Sequence, residues 1–378
     1  MSIKKAIKLG ELFCGAGGFA EGARQAGFRH LWAVDHHADS CISFGNNQEG
    51  TVYTMEIEEF VRKELLKKLE KIDGLLFGFP CNDFSLVGKK RGFEGKFGGL
   101  YLYACKALKY FKPKFFVAEN VTSIAKASDN YSNFKTIMKD LANSTEYGYR
   151  IYADNYKFEE YGIPQTRHRM ILVGFRNDFY NKNKINFEKP QKSKKPFVTC
   201  KEALEKPAIP KWAKNQEETR HNERVVRRLK KTKQGKNVWD LGDHEDGLPG
   251  VTKARMSQIY KRLDSKKPAY TVTGSGGGGT HVYHFKEDRA LTNRERARLQ
   301  TFDDKYEFYG GKESVRRQIG MAVPVLAAKQ IMLSVKKALK KNTEFKTFHH
   351  DWMIKAKGTE LYFTGKESLN EQLNLDLE

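Results

Sequence analysis

This 378-residue chain has few cysteines and no pattern that would staple it or bind zinc. The five, Cys14, Cys41, Cys81, Cys105 and Cys200, are odd in number and widely scattered, and none forms a Cys-x-x-Cys pair. That spacing argues against a disulfide framework or a zinc site, and it fits a reduced, cytosolic protein with no metal. No stretch approaches the length expected of a membrane-spanning helix, so no membrane partner is expected. The opening "MSIKKAIKLGELF" has basic residues but no apolar h-region, and so reads as no secretory signal. There is no internal repeat. Acidic residues are in short supply: 46 Asp and Glu stand against 68 Lys and Arg, a formal net charge of +22. A generic lysine-rich surface would explain a diffuse surplus. Here the load is uneven, because residues 176–270 carry 25 bases against 12 acids. A concentrated surplus favours a nucleic-acid partner.

What is present in the first half is alternation. "AIKLGELF" reads as a strand, "CGAGG" as a turn, and "FAEGARQAG" as a helix ending at Gly27. "HLWAVD", "GLLFGF", "PKFFVAEN", "YRIYADNYKF" and "RMILVGF" read as further strands. "FVRKELLKKLEKI" and "LYLYACKALKYF" read as helices between them. Phe134, Ile137, Met138 and Leu141 recur at helical spacing and predict one buried face. This pattern predicts an α/β fold, a doubly wound, mostly parallel sheet. After Phe175 the periodicity fades into a basic, irregular region. Order returns at "LTNRERARLQTF", where Thr292 and Glu295 have capping-box spacing. A last helix follows Pro324, with Ala328, Ile331, Met332, Val335 and Leu339 on one face. Nothing functional is read from the final forty residues.

Chemistry concentrates where strands end. "ELFCGAGGF" joins the first strand to the first helix, and glycines there allow tight turning and close ligand approach. Asp35 ends the second strand, where an acid commonly accepts hydrogen bonds from ribose hydroxyls. Asp73 precedes "GLLFGF" and is placed to take a donor from an adenine amino group. A glycine turn alone is a weak signal, and a structural turn with surface acids is the bland alternative. Cys81, Glu119 and the arginines of "QTRHR", Arg167 and Arg169, lie at strand ends where such folds bind ligands. A thiolate, a carboxyl that can deliver a proton and two arginines suit covalent attack on an electron-poor ring.

Six stretches then fall in a familiar order: "FCGAGG", "PCN", "ENV", "QTRHR", "RALTNRERARLQTF" and "QIGMAVP". Together they resemble the DNA cytosine-5 methyltransferase family, of bacterial or archaeal restriction-modification type. The resemblance implies a Rossmann-like catalytic domain over residues 1–176 and a smaller, irregular target-recognition domain over 177–315. A helix over 316–345 would return to the catalytic domain, and 346–378 would form a tail. It implies S-adenosyl-methionine as cofactor and S-adenosyl-homocysteine as product. Phe13, Gly15, Ala16, Gly17 and Gly18 would bind the cofactor, with Asp35 on the ribose and Asp73 near the adenine. His36 and Ile57 would flank the adenine, while Pro80, Leu100 and Ala322 would line the pocket. Cys81 would attack carbon 6 of a flipped-out cytosine, and Glu119 would protonate or hydrogen-bond ring nitrogen 3. Arg167 would contact the cytosine oxygen, and Arg169 would support the site and its loop. Ser85, Lys89 and Arg91 of the loop after Cys81, with Gly277 and Gly278 of "TVTGSGGGGTH", would meet double-stranded DNA. A cytoplasmic monomer is implied, with any restriction endonuclease acting separately.

Several positions depart from the family pattern, of which those at Cys14 and Asp35 are chemically mild. Cys14 stands where Ser is common, Asp35 where Glu is usual, Asn82 where Gln is frequent, and Met321 where Asn is typical. "GKFGGL" lacks an Arg that often precedes its glycine. A tRNA-modifying branch shares these motifs, but the long basic region and the lack of a second Cys near the loop lean towards DNA. A non-catalytic regulator would have lost Cys81 or Glu119. A nicotinamide oxidoreductase would want Gly-x-Gly-x-x-Gly. Cys41 and Cys105 read as packing thiols, Trp212 and Trp239 as small-domain core, and "HNERVVRRLKKTK" as a DNA-facing helix.

Overall fold

A computed structural model describes residues 6–79, 99–125, 128–242, 258–274, 276–344, 346 and 348–355. Ten strands run in chain order: β1 Ile7–Leu12, β2 Phe28–Asp35, β3 Thr51–Thr54, β4 Gly74–Phe77, β5 Phe115–Val121, β6 Tyr149–Lys157, β7 Gln165–Thr166, β8 His168–Arg176, β9 Ala269–Tyr270 and β10 Trp352–Lys355. Eight of them form one sheet in the order β10-β6-β8-β5-β4-β1-β2-β3. The block from β3 to β5 is parallel throughout. Beyond β5 the ladder turns antiparallel, β5 to β8, β8 to β6 and β6 to β10. The reason is the short link between β6 and β8. A parallel neighbour needs a crossover of a dozen or more residues, and the link over residues 158–167 falls short of that, so β8 runs back against β6. The order reverses at β1 and β4, so the crevice beyond their carboxyl ends is the natural ligand site.

The helices are α1 Gly18–Gln25, α2 Ala38–Asn47, α3 Ile57–Phe60, α4 Lys63–Leu66, α5 Tyr101–Phe111, α6 Ser128–Ala142, α7 Asn177–Asn183, α8 Cys200–Glu205, α9 Glu223–Lys231, α10 Asn293–Leu299, α11 Lys312–Met321 and α12 Val325–Ala338. Of the single helix expected in "FVRKELLKKLEKI", only α4 forms, and the extended Arg62 separates it from α3 just before. On one face of the sheet, Phe134, Ile137, Met138 and Leu141 of α6 join Leu12, Trp32, Phe77 and Phe116 in one core. On the other, Ile331, Met332 and Val335 of α12 join Phe19, Leu76, Val117 and Val173. Each such side chain contributes about 1.5–3 kcal/mol on burial. α1 lies against α12 at Gly22, where a Cβ would come within 2.4 Å of the Ala328 Cβ. The capping box of Thr292 and Glu295 is formed at α10.

Several boundaries differ from expectation. Tyr180, Ile185 and Phe187, which follow the break at Phe175, pack into the same core as β8. The tail adds β10 to the sheet edge, held by His350 on Asp154 at 2.7 Å and by the Asn155 N–H on Asp351. The stretch Lys312–Ala338 is long and apolar enough to cross a membrane by length and composition, which the sequence reading denied. It is two helices, interrupted before Pro324, and two-thirds of its apolar window is buried inside the protein. A separate core gathers Cys200, Leu204, Leu263, Ala269, Val272, Val282, Phe285, Leu291 and Leu299. α10 bridges the two regions, since Leu299 belongs to that core while Ala297 packs with Ala16, Phe302 and Tyr306. Trp212 is 60% exposed and Trp239 half-buried, so the former is no core residue.

Candidate active site

The turn after β1 is built from unusual backbone. Phe13 sits at φ 56, a left-handed conformation that bulky residues seldom adopt. Gly15 and Gly17 follow at φ 52 and 85. The three glycines do different work. A Cβ on Gly15 would meet nothing within 4 Å, so this residue faces open space and its backbone can be approached. A Cβ on Gly17 would lie 2.7 Å from the Tyr306 hydroxyl, and one on Gly18 2.5 Å from the Val323 carbonyl and 3.0 Å from the Ala322 Cβ. Gly17 is thus closed in by Tyr306, and Gly18 by the segment before α12. The Tyr306 hydroxyl also donates to the Ala16 carbonyl at 2.5 Å. Gly18 and Ala322, 304 positions apart in sequence, are thus neighbours, as the resemblance implied.

Asp35, at the carboxyl end of β2, accepts from the Gly15 N–H and the His37 N–H, both at 2.9 Å. It ties the turn to its neighbouring strand. An ionised carboxylate has roughly four acceptor positions, so both oxygens can still receive ligand hydroxyls. His36 is exposed beside it. Phe13, Met55 and Leu100 are partly buried and pack with Ile57 and Phe79 into one apolar cluster below this rim. Phe13, Ile57 and Leu100 thus all belong to the core on this face of the sheet.

Asp73 is not part of this group. It precedes β4, so the length of the strand, ~13 Å, separates it from the carboxyl rim. It accepts from the Lys8 N–H at 2.9 Å and from Lys114 Nζ at 2.8 Å. Burial would raise its pKa, but those two partners hold it below the usual carboxylate range. Asp73 precedes "GLLFGF", which is the amino end of β4, whereas ligands of such folds bind beyond the carboxyl ends. The exposed acid on the correct rim is Glu56, which the sequence reading missed. It lies just past β3, next to Met55, whose N–H bonds the Asp35 carbonyl.

The catalytic candidates meet at β5. Glu119 and Arg169 form an ion pair of 2.7 Å from Oε1 to Nε, with side chains 14% and 16% exposed. Register explains it: Glu119 faces Ile171 across the antiparallel ladder, so Arg169 is its diagonal neighbour. Glu119 also overlooks the end of β4. A Cβ on Gly78 would lie 3.6 Å from its Oε2, and the Asn120 side chain donates to the Phe79 carbonyl at 3.4 Å. Arg167 does something different from the contact implied for it. It is buried, and its Nη1 donates to the carbonyls of Val272 at 3.1 Å and Gly320 at 3.0 Å. Burial first, then the nearby Arg169, push its pKa well down, with Glu119 pulling the other way. It lies before β8 begins and so points towards the seam with residues 272–274. Gln165 works the same seam, accepting from the Val272 N–H and donating to the Leu299 carbonyl. At Gly320 a Cβ would collide with the Gly274 N at 2.1 Å, so α11 packs there backbone to backbone.

Pro80, Cys81, Ser85, Lys89 and Arg91 lie outside the described residues. The other four cysteines are poor nucleophiles. Burial raises the pKa of Cys14, Cys41, Cys105 and Cys200, the last two to about 12. Reactive thiols are low in pKa and accessible. Gly277 is exposed with open space beside it, and Gly278 begins the short turn Gly278–Thr280. On α9, Arg224, Arg227, Lys230 and Lys231 are exposed, while Leu229 is buried and Arg228 packs 4.4 Å from the Tyr260 ring centre.

Comparison with known proteins agrees with this layout. The family model described as C-5 cytosine-specific DNA methylase matches residues 7–337. The type II methyltransferase M.BbvI of Brevibacillus brevis is 45% identical over 362 residues, covering 92% of this chain and 95% of that protein. The type II methyltransferase M.NgoFVII of Neisseria gonorrhoeae is 36% identical over 355 residues, covering 93% and 91%. Among solved structures, a candidate DNA modification methyltransferase encoded within an E. coli prophage superposes with a TM-score of 0.67 at 21% identity, over 88% of this chain and 99% of that one. The Entamoeba histolytica methyltransferase EhMeth gives 0.60 at 12% identity, over 89% and 100%. These two speak to fold alone. Matched over most of its length in sequence, the chain belongs to the C-5 cytosine-specific DNA methylase family.

Proposed function

We propose that this chain moves a methyl group from S-adenosyl-methionine to carbon 5 of a flipped-out cytosine in double-stranded DNA, at a specific sequence. The observation that carries the reading is the Glu119–Arg169 pair beside the exit of β4, three residues before Cys81. The turn at residues 13–18 would hold the cofactor, with Gly15 facing it, Asp35 on the ribose, and Phe13, Ile57 and Leu100 against the adenine. Glu56, not Asp73, is the acid suited to the adenine end. Bound S-adenosyl-methionine supplies an electrophilic methyl group and leaves as S-adenosyl-homocysteine.

The protein's own part is to make carbon 5 nucleophilic. The Cys81 thiolate adds to carbon 6, and electron density passes through the ring towards nitrogen 3. Glu119 donates a proton or hydrogen bond there, and Arg169 holds its carboxyl in place at 2.7 Å. After methylation, loss of the carbon 5 proton expels the thiolate and restores the aromatic ring. A base inside a duplex cannot be reached, so flipping is required. The basic load over residues 176–270 suits a duplex phosphate backbone. Arg167 serves as a positioning residue that keeps residues 272–274 and α11 in register with the site. We take the chain to act as a cytoplasmic monomer, with any cognate nuclease a separate protein.

The test is methyl transfer from labelled S-adenosyl-methionine onto plasmid DNA and onto tRNA, followed by bisulfite sequencing. Wild type is expected to label DNA at one recurring sequence, and Cys81→Ala to label nothing while still binding DNA. Label on tRNA alone, or methylation by Cys81→Ala, would overturn the proposal.

A further inference from the structure

One part of the molecule is unexplained by methyl transfer. Arg296, in α10, is 1% exposed, and neither of its terminal nitrogens has a hydrogen-bond partner. Arg316, in α11, is 7% exposed, and its Nε is likewise unpartnered. Both line one pocket with His281, Asn293, Thr219 and Lys312. Glu217 lines the pocket, Glu313 Oε1 lies 3.3 Å from Arg316 Nη2, and Glu295, which also acts on Arg296, has both its oxygens taken by Arg289 at 2.8 Å. Burial, then Arg316, lowers the Arg296 pKa to about 10, which still leaves it charged at neutral pH. The same two arginines and burial push His281 down to about 4, so it is a neutral ring. A buried guanidinium with both terminal nitrogens unpaired is strongly unfavourable unless an anion sits on it. Guanidinium forks match oxyanions of the phosphate type.

Position indicates the source of that oxyanion. A Cβ on Gly276 would lie 3.2 Å from Arg316 Nε, so the pocket adjoins the glycine-rich segment that ends in the exposed Gly277.

We infer that Arg296 and Arg316 form a phosphate site that takes one backbone phosphate of DNA lying beside Gly276 and Gly277. The inference rests on the DNA reading above. Free phosphate presents the same chemistry, and the arms of the test separate the two. The full-length protein is measured as wild type, Arg296→Met and Arg316→Gln. Binding of a fluorescent 30-bp duplex is followed across a salt series, and thermal unfolding is compared in phosphate and in chloride at matched ionic strength. Removing one phosphate contact should weaken binding to every duplex alike and lower the salt slope by about 1, so that wild type loses roughly 3.5-fold more affinity than the variant between 50 and 200 mM salt. In chloride, Arg296→Met should unfold no earlier than wild type, because it removes an uncompensated buried charge. Arg316→Gln guards against a folding artefact in the first variant. Unchanged salt slopes in both variants would overturn the DNA assignment. If phosphate then still stabilised wild type and not the variants, the occupant would be free phosphate, and if it stabilised neither, there is no anion site. A wild type that bound no duplex would sink the DNA reading itself, and the phosphate arm would still report on the pocket.

Discussion

Replacing Glu119 by Gln keeps the shape of the side chain and removes its charge. The structure sets the expected sizes. The carboxylate meets Arg169 at 2.7 Å with both side chains about 85% shielded from water, since they are 14% and 16% exposed. A charge-assisted hydrogen bond in such a place is worth about 1.5–3 kcal/mol, so stability should fall by about 2 kcal/mol. The chemical effect should be larger. Loss of a positioned proton donor costs about 10²- to 10⁴-fold in rate, or about 3–5 kcal/mol in the barrier. Urea unfolding reads the first quantity, and single-turnover methyl transfer on saturating DNA reads the second. Arg169→Met should slow the reaction through Glu119, and the double variant should show a coupling of about 1–3 kcal/mol. A Glu119→Gln protein within threefold of the wild-type rate would refute the assignment. So would a rate loss fully accounted for by the unfolded fraction.

Two other outcomes follow from the same structure. Asp73→Asn should leave cofactor affinity within about twofold of wild type, whereas Glu56→Gln should weaken it by tenfold or so, about 1.4 kcal/mol; calorimetric titration with S-adenosyl-homocysteine checks both. Asp154 tests the docking of β10. Burial would raise its pKa, but His350 and Lys189 outweigh burial and hold it low. A depressed folded pKa means the contribution is full above the unfolded value of about 4 and is lost as pH falls below it. The stability gap between wild type and Asp154→Asn in urea should therefore shrink between pH 5 and pH 2.

In the parallel block β1, β2, β4 and β5 were legible because each is a short apolar run closed by a turn, and that pattern needs no partner to be seen. The faces of α6 and α12 were legible for a like reason, their 3.6-residue spacing. β3, Thr51–Thr54, and β10 were not, since four residues with exposed or edge positions carry little periodicity. The antiparallel half was also hidden. Strand direction is set by the connection, and the 158–167 link resembles any other loop until its length is measured against a crossover. Trp212 was misread because an aromatic carries no sign of which way it points.

Residue type and order by themselves determined the class of chemistry: a glycine turn after the first strand, a Pro-Cys pair, a Glu-Asn pair and two arginines in a fixed succession. Tertiary structure alone decided which of those residues act on one another. It put Arg169 rather than Arg167 on Glu119, through cross-strand register, and it removed Asp73 from the cofactor rim, because a strand has two ends about 13 Å apart. It also showed that Gly17 and Gly18 answer to Tyr306 and Val323, and left Gly15 facing open space. Composition can count charges and glycines, but distance between residues hundreds of positions apart exists only once the chain has folded.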